Sequence, residues 1–280
     1  MKIVVTGTRG IPGIQGGVET HCQELYPLIA DEQHEIIVIR RPNYAVERSV
    51  QIYKQVAIKD ISAPRSKHLE AFVHTFKAVI YARKVKADIV HIHAVGPALM
   101  TPVARLLGMK VVITHHGPDY DRDKWGRFAK WILCMGERAG VYYANHIIVI
   151  SEHIRQIIYH QYSAKRNVTL IHNGVNVPTR VIGTEYLESL DLTEYGYVLA
   201  VGRFVKEKNL DQLVEAFTQL SSPSMKLVIA GDADFQDEYA QKLKEVCWKQ
   251  KNICLTGFIK GDKLAQLYLS LIHISEPTRP

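Results

Sequence analysis

The chain has 280 residues, enough for one large domain or two of ordinary size with proper cores. Its composition, 47% hydrophobic and 22% charged, is ordinary for an α/β protein. A formal net charge of +7 indicates acidic partners. Because the sequence contains no zinc finger, basic zipper or RNP motif, we expect phosphorylated substrates or an anionic membrane face, and no nucleic acid.

Cysteine usage and the N-terminal residues indicate a cytoplasmic protein. The four cysteines are scattered without a C-x-x-C pair, so we expect them to be reduced thiols. The sequence starts with a predicted strand, MKIVV, and not with a signal peptide, and no apolar run approaches the length of a membrane span.

The first predicted strand, Lys2–Thr6, leads through a glycine-rich turn, TGTRGIPGIQGGVE, into a helix. Pro27 is predicted to kink this helix. Four apolar residues at helical spacing predict its buried stripe: Val18, Cys22, Leu25 and Ile29.

The glycine-rich turn has two interpretations. Residues 6–13 fit T-G-x-x-G-x-x-G, which resembles the NAD(P)-binding fingerprint of extended short-chain dehydrogenases and epimerases. Against this, the helix is predicted to begin after the second glycine pair, and the second strand ends in two arginines with no acidic residue for a ribose. The only Tyr-x-x-x-Lys, residues 120–124, lies in a loop-like stretch.

The other interpretation, which we favour, rests on GGVE at residues 16–19. This segment resembles the G-G-(V/A)-E loop of family-4 glycosyltransferases, whose glycines face the donor phosphates and the acceptor cleft. The wider TGTRGIPGIQGGVET resembles a bacterial subgroup linked to rhamnosyl transfer and surface polysaccharides.

The next stretch is predicted to contain an extra strand and an amphipathic helix. Residues 51–58 alternate between apolar and polar side chains. Six apolar residues then recur at helical spacing: Leu69, Phe72, Val73, Phe76, Val79 and Ile80. The flanking basic residues are interpreted as a solvated face, with contact to anionic lipid as the alternative: Lys67, Arg83, Lys84 and Lys86.

Two further predicted strands, residues 88–93 and 110–114, bring four histidines to one sheet edge: His91, His93, His115 and His116. The carboxyl ends of parallel strands form the ligand crevice of an open sheet. A metal cluster is the less favoured interpretation, since we expect the two histidines of one strand to point to opposite faces. His91 is assigned to the core or to a supporting role.

The chain from residue 125 to residue 192 continues the alternation of helices and strands. Five apolar residues predict the stripe of a long helix: Trp125, Phe128, Ala129, Ile132 and Leu133. A strand over 145–150, a helix and a strand over 168–171 follow, and the N-G turn at 173–174 is predicted to lead into a second domain. Residues 180–192 are polar and non-periodic, which predicts a loop or linker.

Residues 197–217, YVLAVGRFVKEKNLDQLVEAF, predict an anion site. The first five residues form a buried strand, and Gly202 ends it and lets the backbone come close to a ligand. A basic loop with Arg203 and Lys208 follows, and a capping box, N-x-x-Q at 209–212, is predicted to start a helix. Positive charge at the carboxyl end of a strand, beside a helix N-terminus, favours an oxyanion.

The same stretch carries a specific resemblance. G-R-x-x-x-x-K-N-x-x-x-L-(I/V)-x-A-(F/Y) resembles the second-domain signature of family-4 glycosyltransferases with the GT-B fold, which use nucleotide sugars. The resemblance implies that Arg203 and Lys208 hold the donor diphosphate and that His116 positions the donor sugar. It also implies donor-binding roles for six residues: Gly16, Gly17, Gly202, Gly257, Phe258 and Ile259. It further implies retention of anomeric configuration, with no metal ion and no cofactor.

Two features near the end of the sequence have competing interpretations. Asp232 and Asp234 resemble the metal-binding carboxylate pair of GT-A enzymes, but in a GT-B arrangement they form a strand-to-helix turn, which we favour. Residues 269–280, LSLIHISEPTRP, look like a translated sequencing adapter and are expected to be non-native, the alternative being a natural polar C-terminus. The family's downstream pair of Glu residues is then missing, so we expect the chain as given to be poorly stable and inactive.

Together these features predict an α/β fold of two Rossmann-like domains in the GT-B arrangement, the second incomplete. Residues 1–172 are assigned to the acceptor side, 173–268 to the nucleotide-sugar side and 269–280 to the tail. The expected activity moves a sugar from a nucleotide diphosphate sugar to a glycan or lipid-linked acceptor in bacterial surface polysaccharide synthesis, in the cytoplasm, with peripheral contact at the inner face of the membrane. Two alternatives stay open: an NAD(P)-dependent dehydrogenase or epimerase, and a non-catalytic nucleotide-binding fragment.

Overall fold

The computed structural model describes residues 1–45, 47–64, 70–121, 125–162, 167–174, 183–220, 225–233 and 237–271. The chain divides into two compact units, Met1–Asn176 and Val177–Pro280. The first unit contains a large, mostly parallel sheet and the second a smaller parallel one, which confirms the predicted α/β class.

The described part of the first unit forms an eight-stranded sheet in the order β3-β4-β2-β1-β5-β6-β7-β8. Its pairs are parallel except β3–β4, an antiparallel hairpin at one edge. The strands are β1 (Lys2–Thr6), β2 (Glu35–Arg40), β3 (Ile52–Tyr53), β4 (Val56–Asp60), β5 (Ile89–His93), β6 (Lys110–His115), β7 (His146–Val149) and β8 (Val168–Leu170). The single strand expected over residues 51–58 is therefore two strands.

The helices of the first unit are α1 (Gly17–Ile29), α2 (Glu70–Lys84), α3 (Thr101–Leu106), α4 (Arg127–Tyr143) and α5 (Glu152–Tyr162). Successive residues of a strand point to opposite faces of a sheet, and β1 shows this directly. Val4 belongs to a core cluster with Ala78 and Val79 of α2, whereas Val5 belongs to a second cluster with Cys22 of α1. The helix α1 thus lies on the opposite face of the sheet from α2.

The second unit contains three strands in the order β11-β10-β9, all parallel, among its described residues. They are β9 (Tyr197–Val201), β10 (Lys226–Ala230) and β11 (Ile253–Gly257), and the helices are α6 (Glu185–Ser189), α7 (Leu210–Gln219), α8 (Glu238–Trp248) and α9 (Asp262–Leu269). The helix α6 corrects the loop predicted over residues 180–192, of which 180–182 lie outside the described residues. It forms because Leu187 is buried against Val228 and Leu267.

The apolar stripe predicted for α2 is largely wrong about which face is buried, whereas the stripe predicted for α4 is correct except at Phe128, which is 74% exposed. In α4 the other predicted residues are partly buried, and the fully buried residues follow them at helical spacing: Gly136, Glu137, Gly140 and Val141. A Cβ on Gly136 would come within 2.2 Å of the Val95 carbonyl oxygen, so the glycine face allows the helix to lie close to the chain beneath it. In α2 the predicted core residue Val79 is fully buried, but the rest of the buried face consists of small or polar residues, and three predicted core residues are exposed: Phe72, Phe76 and Ile80.

The stripe predicted for α1 is correct only in part. Cys22 is fully buried, but Tyr26 is the large residue that α1 buries with it, and Leu25 is half-buried. Lys67 and Leu69 of the α2 prediction lie outside the described residues. No helix in the described ranges is long and apolar enough to cross a membrane.

Candidate functional site

At two glycines of the fingerprint at residues 6–13, the space that a side chain would need is filled by other parts of the chain. Gly7 has a φ of +92°, and a Cβ there would lie 2.1 Å from the His93 carbonyl oxygen. Gly10 has a φ of +114°, and its Cβ would lie 2.5 Å from Cγ of Arg40. Only glycine fits these positions, and α1 begins at Gly17, not at Gly10, which disfavours the dinucleotide interpretation.

The second glycine pair divides into a structural and an open position. Gly16 has a φ of +148°, and a Cβ there would lie 2.0 Å from Oε2 of Glu19. That carboxylate turns back over the loop, and its Oε1 accepts a hydrogen bond of 2.9 Å from the backbone N–H of Arg9. At Gly17, in contrast, a Cβ would meet no described atom within 4 Å, so this position leaves room for a ligand at the helix N-terminus.

Three histidine rings are stacked beneath α1. His91 and His93 lie 4.4 Å apart between ring centroids, and His93 and His116 lie 5.2 Å apart. His21 of α1 meets the His116 ring edge-on at 5.5 Å. The expectation that His91 and His93 point to opposite faces was wrong, because residues two apart on a strand share a face. His116 and the helix that begins at Gly17 are therefore neighbours through His21.

Hydrogen bonds connect these rings in series. Tyr26 Oη lies 2.8 Å from Nδ1 of His91 and 2.6 Å from Nε2 of His93. Nε2 of His91 lies 2.8 Å from Oγ1 of Thr114, and Nδ1 of His93 lies 2.9 Å from Nε2 of His116. Within the described ranges, no group of three or more His, Cys, Asp or Glu residues is arranged to hold a metal ion.

Burial keeps the stacked imidazoles neutral. It is the main cause that lowers the pKa of His91 and His116 to about 3, and neighbouring histidines lower both further. The pKa of His93 is held well below its usual range for the same reasons. His116 therefore presents a neutral ring to a ligand.

The adjacent residue His115 serves a different contact. Its Nδ1 accepts a hydrogen bond of 3.1 Å from the Gly117 N–H, so its Nε2 carries the proton and faces the Glu137 carboxylate 3.7 Å away. Both side chains are buried, and Glu137 belongs to α4. His115 thus holds the turn after β6 in place, while His116 belongs to the stack.

In the second unit, glycines terminate or follow all three described strands. Gly202 donates its N–H to the Ala230 carbonyl at 2.9 Å, and Gly231 donates to the Gly257 carbonyl at 2.9 Å. Gly231 has a φ of +142°, and a Cβ there would lie 1.9 Å from the Gly202 carbonyl oxygen. The strand ends are therefore drawn together with no side chain between them, and the N–H groups of Gly202 and Gly231 are used within the sheet. At Gly257 a Cβ would meet no described atom within 4 Å, so the edge is open there.

The basic loop lies directly at this edge. Lys208 is exposed, and its aliphatic carbons pass 3.8 Å from the position of a Cβ on Gly202. Arg203 is half-buried, and the next residue, Phe204, is fully buried and fixes the loop to the core. The predicted capping box is wrong, because Asn209 has left-handed backbone angles (φ 49°, ψ 37°) and its side chain makes no cap hydrogen bond.

The other predicted residues of this unit follow β10 and β11. Asp232 forms an ion pair with Lys244 at 2.7 Å, and its carboxylate accepts the Ala233 N–H, as expected of a strand-to-helix turn; Asp234 lies outside the described residues. Phe258 is 48% exposed beside Gly257, whereas Ile259 is packed against the core.

The structure thus shows three contributors that the sequence interpretation did not single out: His21, Tyr26 and Gly231. A period-two count along β5 and a helical count along α1 would have placed Tyr26 and His21 beside the histidines. The contact between Gly231 and Gly202 has no local signal, because it depends on the register of two strands distant in sequence.

Two parallel sheets, each followed at its strand ends by a glycine-rich turn and a helix, are typical of GT-B glycosyltransferases. The family model for Glycosyltransferase Family 4 matches residues 15–178, more than half of the chain. The model for Glycosyl transferases group 1 matches residues 185–274. The chain belongs to Glycosyltransferase Family 4, and it is a glycosyltransferase.

Comparison with individual proteins agrees with this family. The uncharacterized glycosyltransferase MJ1607 of Methanocaldococcus jannaschii is 25% identical over 299 aligned positions, which cover 96% of this chain and 73% of that protein. The structure of Anabaena Alr3699/HepE in complex with UDP-glucose superposes with a TM-score of 0.75 at 15% identity, over 97% of this chain and 72% of that one. Sucrose-phosphate synthase from Thermosynechococcus elongatus gives 0.74 at 19% identity, over 96% and 73%.

Proposed function

We propose that the reaction of this glycosyltransferase is the transfer of a sugar from a nucleotide diphosphate sugar to a hydroxyl group of a glycan or lipid-linked acceptor, with retention of anomeric configuration. The observation that carries the proposal is the edge formed by Gly202, Gly231 and Gly257, with Arg203 and Lys208 beside it. A strand edge without side chains and with two cations beside it suits a diphosphate, because no side chain blocks the approach of its oxygens and the positive charge favours them. The similar fold of a protein solved with UDP-glucose supports the same donor class.

Each proposed residue has a distinct role. Arg203 forks onto the diphosphate and Lys208 adds a point charge, so that both stabilise the charge that develops on the leaving group. Gly257, Phe258 and Ile259 seat the nucleotide base, the first through its backbone. Gly202 has no side chain that would keep the phosphates away from the strand end.

In the first unit, three residues are assigned to the donor. His116 donates or accepts a hydrogen bond at the sugar. Gly17 leaves room for the donor at the N-terminus of α1, and Gly16 shapes the loop that presents it.

Further parts of the proposal concern the acceptor and the location. We infer a role in bacterial surface polysaccharide synthesis, with rhamnose as the sugar of the related subgroup, at the inner face of the cytoplasmic membrane. Exposed residues of α2 support contact with a membrane surface, since aromatic and basic side chains are adjacent there. They are Phe72, Phe76, Arg83 and Lys84. The assignment of residues 269–280 to a non-native tail stays a prediction.

A titration of the chain with UDP, TDP and NADPH, followed by calorimetry, tests the donor class. We expect one nucleoside diphosphate to bind and NADPH not to bind. Arg203→Gln should weaken binding roughly 10- to 100-fold, because charge-assisted hydrogen bonds contribute about 1.5–3 kcal/mol. Lys206→Gln is the matched control, because Lys206 is an exposed cation of the same loop outside the family's matched positions. Binding of NADPH alone, or equal losses in both variants, would contradict the proposal.

A further inference from the structure

The hydrogen-bonded series from Thr114 to His116 has a direction that the contacts themselves determine. Burial raises the pKa of Tyr26 well above its usual value, so its oxygen carries one proton and faces two imidazole nitrogens. One histidine must therefore donate to Tyr26 while the other accepts from it. Each neutral imidazole carries one N–H, so the nitrogen that carries the proton in one ring determines which nitrogen carries it in the next ring.

The buried end of the series sets that choice. Thr114 is fully buried, and among the described residues its hydroxyl has one hydrogen-bond partner, Nε2 of His91. If the Thr114 hydroxyl accepted a hydrogen bond from this nitrogen, its own O–H would be left buried without an acceptor, which is unfavourable. The hydroxyl therefore donates to Nε2 of His91, and Nδ1 of His91 carries the ring proton.

The remaining bonds follow in order. Nδ1 of His91 donates to Tyr26, Tyr26 donates to Nε2 of His93, and Nδ1 of His93 donates to Nε2 of His116. The Cys22 thiol lies 3.7 Å from the same Nε2 of His93 and adds a weak second donor in the same direction. The proton of His116 is then on Nδ1, the nitrogen to which no described group is hydrogen-bonded.

We propose that Thr114, His91, Tyr26 and His93 are positioning residues that hold His116 as the neutral Nδ1–H tautomer, so that it donates a hydrogen bond to an oxygen of the ligand. The statement that the ligand is the donor sugar rests on the proposed function. The state of the ring does not, because it follows from contacts within the first unit. His116 would then recognise a sugar hydroxyl or ring oxygen, and it would not act as a base.

Long-range ¹H–¹⁵N NMR of the histidine side chains tests the proposal, with His116→Asn to assign the signals. We expect His116 of the natural sequence to show a protonated Nδ1 and an unprotonated Nε2 at pH 7. Thr114→Val removes the first donor without touching His116, and we expect His116 to become a mixture of tautomers. A protonated Nε2 in the natural sequence, or an unchanged ring in a folded Thr114→Val variant, would overturn the proposal.

Matched controls separate the series from general loss of packing. Thr169→Val removes a hydrogen bond of the same kind, between Thr169 Oγ1 and Nε2 of His146 at 2.9 Å, and should leave His116 unchanged. If Thr114→Val does not fold, Tyr26→Phe replaces it, with Tyr53→Phe as its control because Tyr53 packs against the same core cluster.

Binding of the sugar nucleotide distinguishes this proposal from the proposed function. In Thr114→Val we expect the affinity for the sugar nucleotide to fall about fivefold, because one neutral hydrogen bond to the sugar is lost. The affinity for the corresponding nucleoside diphosphate, which has no sugar at that position, should not change. A changed tautomer with unchanged sugar-nucleotide affinity would keep the positioning series and refute the placement of His116 at the donor sugar. An unchanged tautomer would refute the series whatever the affinity.

Discussion

Gly17→Ala separates a glycine needed by a ligand from one needed by the fold. Gly17 is the first residue of α1, and an added Cβ meets no described atom within 4 Å. Alanine loses less backbone entropy than glycine in a helix, so we expect the first unit to gain roughly 0.4–1 kcal/mol. For a unit of this size that gain corresponds to a rise in Tm of about 1–4 °C.

The same methyl group should impair donor binding if the diphosphate approaches this helix end. Overpacking by one methyl costs about 1–3 kcal/mol, and about 1.4 kcal/mol is tenfold in affinity, so we expect Kd to rise roughly 5- to 150-fold. Thermal unfolding and calorimetry of one sample measure both effects. Gly126→Ala is the control, because Gly126 precedes α4 with a φ of −66° and an equally open Cβ position. Unchanged affinity in a folded Gly17→Ala variant would refute the assignment of Gly17 to the donor.

Three further predictions concern stability. Gly7→Ala should lower the free energy of unfolding by about 3 kcal/mol or more, since the Cβ would lie 2.1 Å from the His93 carbonyl oxygen at a φ of +92°. Chemical denaturation measures this loss, and a loss below about 1 kcal/mol would contradict the prediction. Asp237→Ala should cost about 1 kcal/mol of unfolding free energy, because the side chain accepts the Ala240 N–H at the start of α8. Acidification from pH 7 to pH 5 should lower the free energy of unfolding by up to about 2 kcal/mol for each histidine whose pKa is about 3 in the folded chain. The reason is that these histidines take up protons below about pH 6.5 in the unfolded chain but stay neutral in the folded chain. Urea unfolding at both pH values checks the sign. These histidines are His74, His91 and His116.

Strand positions were predictable from the sequence because buried parallel strands are short apolar runs with β-branched residues. Residues 197–201 and 226–230 lie where expected. Helix faces were less predictable, since most of the large apolar side chains of α2 did not mark its buried side. Ala78 of α2 and Gly136 of α4 face the core because close approach to the chain beneath requires small side chains. A count of hydrophobic residues favours large side chains, whereas close packing of these helices requires small ones.

The glycines show a second limit of sequence reasoning. Gly7, Gly10, Gly16 and Gly17 are identical letters within eleven residues, and two interpretations competed for them. Three of the four have their Cβ space filled by the chain itself, and only Gly17 does not. For Gly7 and Gly10 this distinction depends on tertiary contacts with His93 and Arg40, which no local pattern contains; only the contact of Gly16 with Glu19 lies within the motif itself.

The histidines give the opposite case, in which more could have been derived. His91 and His93 lie two apart on a strand, so a shared face follows from the pleat alone. Both rings lie under α1, and one nitrogen of each is hydrogen-bonded to the hydroxyl group of Tyr26. A metal ion at these nitrogens would have to break those bonds. Neutral rings in a buried series recognise oxygen atoms by donating hydrogen bonds, while the cations of the second unit, Arg203 and Lys208, are the groups suited to a charged diphosphate. The chemistry proposed for each unit therefore follows from whether its polar groups are charged or neutral.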